Sequence, residues 1–146
     1  MAAFQRIIEK HSEDADCFIH LGDGEREVDE VRSIYPQLAI HFVRGNCDFG
    51  SVEPASRVLD IGGKRIFYTH GHEYGVKFGL DTLKQTARRN GAQIVLFGHT
   101  HTAFTEYDDG LYLMNPGSAV HPRNGRAGYG MVDITDAGIV TNLVRL

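Results

Sequence analysis

Four short polar clusters stand out in this 146-residue chain, each placed directly after a run of apolar residues. Asp23 follows Cys17-Phe18-Ile19-His20-Leu21, and Asn46 with Asp48 follows Ala39-Ile40-His41-Phe42-Val43. His70 and His72 follow Arg65-Ile66-Phe67-Tyr68-Thr69, and His99 and His101 follow Gln93-Ile94-Val95-Leu96-Phe97. Carboxylate, carboxamide and imidazole together suit a borderline transition metal such as Mn, Fe, Co, Ni or Zn, whereas Ca and Mg favour all-oxygen shells. A pair of such ions about 3.5–4 Å apart can activate a water and clamp both oxygens of an in-line phosphoryl displacement. Asp23 is the natural carboxylate to bridge the pair. Gly22, Gly45, Gly71 and Gly98 flank the clusters, where the backbone must turn sharply and approach a ligand closely.

The elements that must position these residues follow from the hydrophobic pattern. Phe4, Ile7, Ile8 and His11 share one face of a helix over residues 2–13, and Val28, Val31 and Ile34 share a face of a second helix closed before Pro36. Residues 57–61 and 65–69 form a hairpin about Gly62-Gly63-Lys64, and Leu80, Leu83 and Ala87 face inward on a helix over residues 80–90 that stops at Gly91. Strands over residues 103–107 and 111–114 flank Asp108-Asp109-Gly110, and strands over 128–134 and 139–145 flank Asp136-Ala137-Gly138. An alternating first half and a strand-rich second half predict an α/β domain with two packed sheets and outer helices. Where the four site strands run parallel in one sheet, their clusters meet beyond its carboxyl edge.

Composition bounds the function. Apolar residues make up 42% and charged residues 23% of the chain, and the length suits a single domain over residues 1–146. A formal net charge of -4 argues against broad capture of nucleic acid or an anionic membrane. It leaves room for a small phosphoester held by metal ions. Two cysteines, Cys17 and Cys47, make no disulfide framework, so a reducing, cytoplasmic setting is expected. Neither a secretion signal nor a membrane-spanning run is visible.

Leu21-Gly22-Asp23, Gly45-Asn46-Cys47-Asp48, Thr69-His70-Gly71-His72 and Gly98-His99-Thr100-His101 resemble the ordered motifs of the calcineurin-like metallophosphoesterase superfamily. Cys47 after Asn46, together with Asn115-Pro116-Gly117-Ser118 and Pro122-Arg123, is most similar to its compact bacterial and archaeal phosphodiesterase branch. The resemblance implies a four-layer αββα sandwich and hydrolysis by a hydroxide held between two divalent metal ions, with manganese first among the candidates and Ni, Fe, Co and Zn open. By position, Asp23 bridges both ions, Asn46, His70 and His99 complete one shell, and His101 binds the other ion. Asn46 also lies near the substrate phosphate. The family opens with a strand ending in Asp-x-His that supplies two further ligands. This chain begins at what reads as the following helix, so an N-terminally truncated domain with its first strand missing is expected. Many superfamily members carry His where Cys47 stands, which leaves the general acid open, with His72 as the candidate. The same fold also serves as a non-catalytic scaffold in one branch, which is the alternative reading, beside that of an inactive truncated fragment.

Ordinary roles suffice for several other residues. His20 and His41 lie inside apolar strands and read as packed and hydrogen-bonded, His11 sits on a helix face, and His121 lies in a loop. Cys47 reads as a small buried residue filling its loop. Tyr107, Tyr112 and Tyr129 fit either core or interface.

Overall fold

A computed structural model of the protein describes residues 2–123 and 125–146. Its elements run α1 (Ala3–His11), β1 (Phe18–His20), α2 (Glu25–Ile34), β2 (Ile40–Phe42), β3 (Ser56–Ile61), β4 (Lys64–Thr69), α3 (Asp81–Arg89), β5 (Ile94–Phe97), β6 (Phe104–Asp108), β7 (Leu111–Asn115), β8 (Gly128–Thr135) and β9 (Gly138–Arg145). Each expected element appears, with its ends shifted by no more than a residue or two. The β3–β4 loop is the two-residue Gly62-Gly63 turn, with φ of 60° and 79°. That geometry matches the twist of the flanking strands and is open to glycine without steric cost.

The strands fall into three hydrogen-bonded groups. A central sheet has the order β3-β4-β5-β7-β6, with β4, β5 and β7 parallel and the two outer strands antiparallel. Strands β1 and β2 form a parallel pair, and β8 with β9 forms an antiparallel pair. The four clusters thus rest on two sheets, one under Asp23 and Asn46 and one under the histidines, so the condition of a single parallel sheet is not met.

Alternation along the strands builds the layers. Phe67, Val95, Phe97, Leu111 and Leu113 pack against Leu83 and Ala87 of α3 on one face of the central sheet. Their neighbours Ile66, Tyr68, Ile94, Leu96 and Met114 face the opposite way, toward Ile19, Val43, Val132, Ile134 and Ile139. The β1–β2 pair turns Phe18, Ile40 and Phe42 outward to Ile8, Val28 and Val31 of α1 and α2. The sequence of layers is thus α1 and α2, the two small sheets, the central sheet, then α3. This is the αββα order, with its second layer divided between two strand pairs. Burying apolar side chains on both faces of the central sheet contributes about 1.5–3 kcal/mol for each large residue, and it fixes which edge carries the loops.

Two details differ from the sequence expectation. Ile34 is 54% exposed, because α2 ends there and Tyr35 and Leu38 take the next places against the core. His11 does more than occupy a helix face. Its Nε2 lies 2.7 Å from the Tyr129 hydroxyl and ties α1 to β8. Tyr129 is buried, and Tyr107 is exposed and packs edge-on against Tyr112.

Candidate metal centre

The β4 strand delivers His70 into the space between the two sheets, where it is 2% exposed. Its Nδ1 lies 2.7 Å from the Leu21 carbonyl oxygen. A carbonyl only accepts, so Nδ1 carries the proton and donates. Burial lowers the pKa of His70 against the pull of that hydrogen bond and of Asp23, so the ring is neutral near pH 7. Its Nε2 therefore holds a lone pair. That lone pair faces the Asn46 Oδ1 at 3.0 Å, the His99 Nδ1 at 3.0 Å and the Asp23 Oδ2 at 3.4 Å.

Lone-pair-bearing atoms gathered this closely repel one another unless a proton or a cation lies among them. Neighbouring donors bound about 2.1 Å from one ion are themselves about 3 Å apart, which is the spacing seen at His70. Among the described residues, no group of three His, Cys, Asp or Glu side chains is by itself disposed to hold an ion. The donors meet pairwise at the His70 Nε2, and one of them is the amide oxygen of Asn46. The pairs are centred on His70. Two imidazoles, a carboxylate and an amide oxygen fit a borderline transition metal.

The backbone around the donors is held in costly conformations. Among the described residues, four that are not glycine have positive φ, and three of these are Asp23 (61°), His99 (71°) and His101 (58°). Such strain of about 1–3 kcal/mol per residue collects where function requires a fixed direction. Glycine is needed beside them. A Cβ on Gly22 would lie 2.7 Å from both the Gly45 nitrogen and the His70 Nδ1, and a Cβ on Gly45 would overlap the Asp23 carboxylate.

Asp48 has a role that the sequence did not reveal. Its two oxygens accept from the backbone N–H groups of Asp23, Gly24, Glu25 and Gly45, at 2.7–3.1 Å. It therefore caps the start of α2 and clamps the Asp23 and Asn46 loops together. Burial opposes its ionisation, but the four N–H donors win and hold its carboxyl below the usual value. Asn115 does the same for the other loop. Fully buried at the end of β7, it donates to the Gly98 carbonyl and the Thr100 hydroxyl and accepts from Gly117. A polar residue closing an apolar strand was the available signal for it.

Sequence-predicted residues thus divide. Asp23, Asn46, His70 and His99 come together. His101 does not join their contacts. Its Nδ1 donates to the His121 carbonyl at 2.9 Å, and its own carbonyl accepts from the Arg123 backbone. That bond places the proton on Nδ1 and leaves Nε2 open. His72 sits beside the cluster, with ring centroids 5.3 Å from His70 and 6.2 Å from His99. Its Nδ1 is buried without a partner among the described residues. His99 is neutral, its pKa lowered to about 4 by burial first and then by its neighbours His70, Lys77 and His72, which disfavour a second positive charge.

Cys47 is exposed, not buried as expected. Its backbone N–H is spent on the Asp23 Oδ1 at 2.8 Å, which turns the side chain to the surface, and the Asp23 carboxylate pushes its thiol pKa up. His20 is packed and hydrogen-bonded as expected, edge-on to Phe4 and accepting from Gly22.

Comparison with known proteins gives the family of the chain. The family model for the calcineurin-like phosphoesterase superfamily domain matches residues 1–137. A probable metallophosphoesterase of Bacillus subtilis, YsnB, is 37% identical over 82% of this chain and 68% of its own. Phosphodiesterase YfcE of Escherichia coli is 36% identical over 62% of this chain, which spans only 50% of that relative's length. Vacuolar protein sorting-associated protein 29 of Schizosaccharomyces pombe is 36% identical over 58% of this chain and 46% of its own. The crystal structure of a predicted phosphoesterase from Streptococcus pneumoniae superposes with a TM-score of 0.81 at 28% identity, covering 92% of this chain and 76% of that one.

Proposed function

The chain belongs to the calcineurin-like phosphoesterase superfamily, and from that premise we propose that it carries the active site of a metal-dependent phosphoesterase, a phosphodiesterase rather than a phosphatase. The meeting of Asp23, Asn46 and His99 at the His70 Nε2 is the observation that carries this reading. The similarity to a relative named as a phosphodiesterase supports the diester preference.

Bound divalent ions, manganese in our proposal, would supply positive charge against the phosphoryl oxygens and lower the pKa of a water. Asp23, Asn46, His70 and His99 would hold one ion, and His101 with a shared Asp23 would hold the second. The protein's own groups prepare the site. His70 and His99 are kept neutral by burial, so they present lone pairs rather than competing charge. Asn46 turns its oxygen to His70, which leaves its NH2 group to donate to a phosphoryl oxygen. His72 lies beside the cluster, and we assign it the role of assisting departure of the leaving alcohol. The free thiols of Cys17 and Cys47 suit a reducing cytoplasm, and a small phosphoester is the partner we assign.

Hydrolysis of bis(4-nitrophenyl) phosphate tests the proposal. Turnover should require Mn, Fe, Co, Ni or Zn and should be lost in His70→Ala. A folded protein that is inert with all five metals would sink it. The relationship to vacuolar protein sorting-associated protein 29 favours a second reading, a protein-binding scaffold on the same fold. Metal titration separates the two, since a scaffold has no need of tight binding at His70.

A further inference from the structure

A cleft of about 390 Å³ adjoins the metal centre and is not used by the mechanism above. Several contacts place it there. Thr100, which follows His99, lines it together with Asn115, whose amide holds Gly98 and Thr100. Val76 lines it too, and lies against Gly71, between the two histidines of the β4 loop. The ammonium of Lys77 is near enough to help lower the pKa of His99.

The lining has two characters. Leu80, Phe97 and Phe104 give an apolar floor, on which Phe97 and Phe104 meet edge-on at 6.3 Å. Lys77 and Arg123 are its charged residues, and both are cationic. Neither has an ion-pair partner among the described residues, although the chain as a whole is acidic. The nearby hydroxyl of Thr100 is already engaged by Asn115 and by the Thr102 backbone. Two side-chain cations over an apolar floor are thus what the cleft offers a ligand. An apolar body carrying an anion satisfies both features, whereas an uncharged polar body satisfies neither.

We propose that this cleft takes one ester arm of the substrate, and that the preferred substrates are phosphodiesters in which that arm is an apolar body bearing a second anionic group. The inference rests on the phosphoesterase reading of the metal centre. Lys77 and Arg123 read the second anion, and the scissile phosphate stays with the residues around His70.

Two synthetic probes test it: phenyl 4-nitrophenyl phosphate and its analogue with a 4-carboxylate on the phenyl ring. The folded protein should favour the carboxylated ester by about tenfold in kcat/KM, the worth of one charge-assisted hydrogen bond. In Lys77→Gln/Arg123→Gln that ratio should fall to near one. Equal use of the two esters by the wild type, or a preference that survives the double substitution, overturns the proposal. Binding of both probes to the metal-free protein, followed by the amide resonances of Thr100 and Thr102, gives a readout without turnover. A preference seen there in a protein that hydrolyses neither ester would remove the phosphoesterase reading and leave only an anion-selective cleft. Turnover without preference would remove the cleft proposal and leave the hydrolase.

Discussion

The Nδ1 of His70 donates to the Leu21 carbonyl at 2.7 Å, a bond that crosses from the central sheet to the loop after β1. It fixes the tautomer, and with it the direction of the lone pair that meets Asn46, His99 and Asp23. An outer hydrogen bond of this kind orients a metal-binding imidazole and raises its basicity.

Replacing His70 with alanine should therefore do two things. It removes the centre of the donor cluster, so calorimetric titration should show manganese affinity falling by at least about tenfold to a hundredfold. It also leaves the Leu21 carbonyl unpaired beside a new cavity, at a cost of about 1–3 kcal/mol in urea denaturation. Unchanged metal binding would show that the cluster is not the site.

Asp48→Ala should destabilise the fold more than a surface substitution does. Four backbone N–H groups lose their acceptor, including those at the start of α2, and about 2–3 kcal/mol is expected. Asp48→Asn keeps one acceptor oxygen and should recover part of it. Thermal melts of both variants check the order.

Gly45→Ala tests the close approach of the two loops. Its Cβ would overlap the Asp23 carboxylate, so Asp23 must leave its place. We expect about 1–3 kcal/mol of destabilisation together with loss of metal affinity. Alanine at Gly50, which has open space around it, serves as a control for glycine substitution, with a small cost from its φ of 76° and no effect on metal.

Stability should depend on pH through His20. Burial, stronger than the opposing pull of Asp48 and Asp23, lowers its pKa from 6.5 to about 4. The unfolded chain then takes up a proton before the folded one does. The contribution is fully present above pH 6.5 and is lost as the pH falls toward about 4, a change on the order of 3 kcal/mol. Denaturant titrations across that window should show a shallower decline in His20→Gln than in the wild type.

His72→Gln should lower kcat by about a hundredfold for a diester with a poor alkoxide leaving group, with KM little changed, and should affect bis(4-nitrophenyl) phosphate far less, as loss of a proton donor does. A rise in KM with kcat unchanged would make His72 a binding group.

The positions and types of the elements were legible in the sequence because they depend on local pattern. The apolar runs of β4, β5 and β7, the Gly62-Gly63 turn and the apolar faces of α1 and α3 are each written within a few residues. The candidate donors were legible too, since Asp23, Asn46, His70 and His99 each close an apolar run beside a glycine. What the sequence could not show is how distant segments meet. The clamp of Asp48 spans from β2 to the start of α2, and the exposure of Cys47 follows from a hydrogen bond between two loops. The separation of His101 from the other four depends on where the His121 carbonyl lies. Pattern along a chain records which face of an element is apolar. The division of the strands into three hydrogen-bonded groups, and the direction of each imidazole, arise only when the layers stack and backbone groups far apart in sequence must find partners.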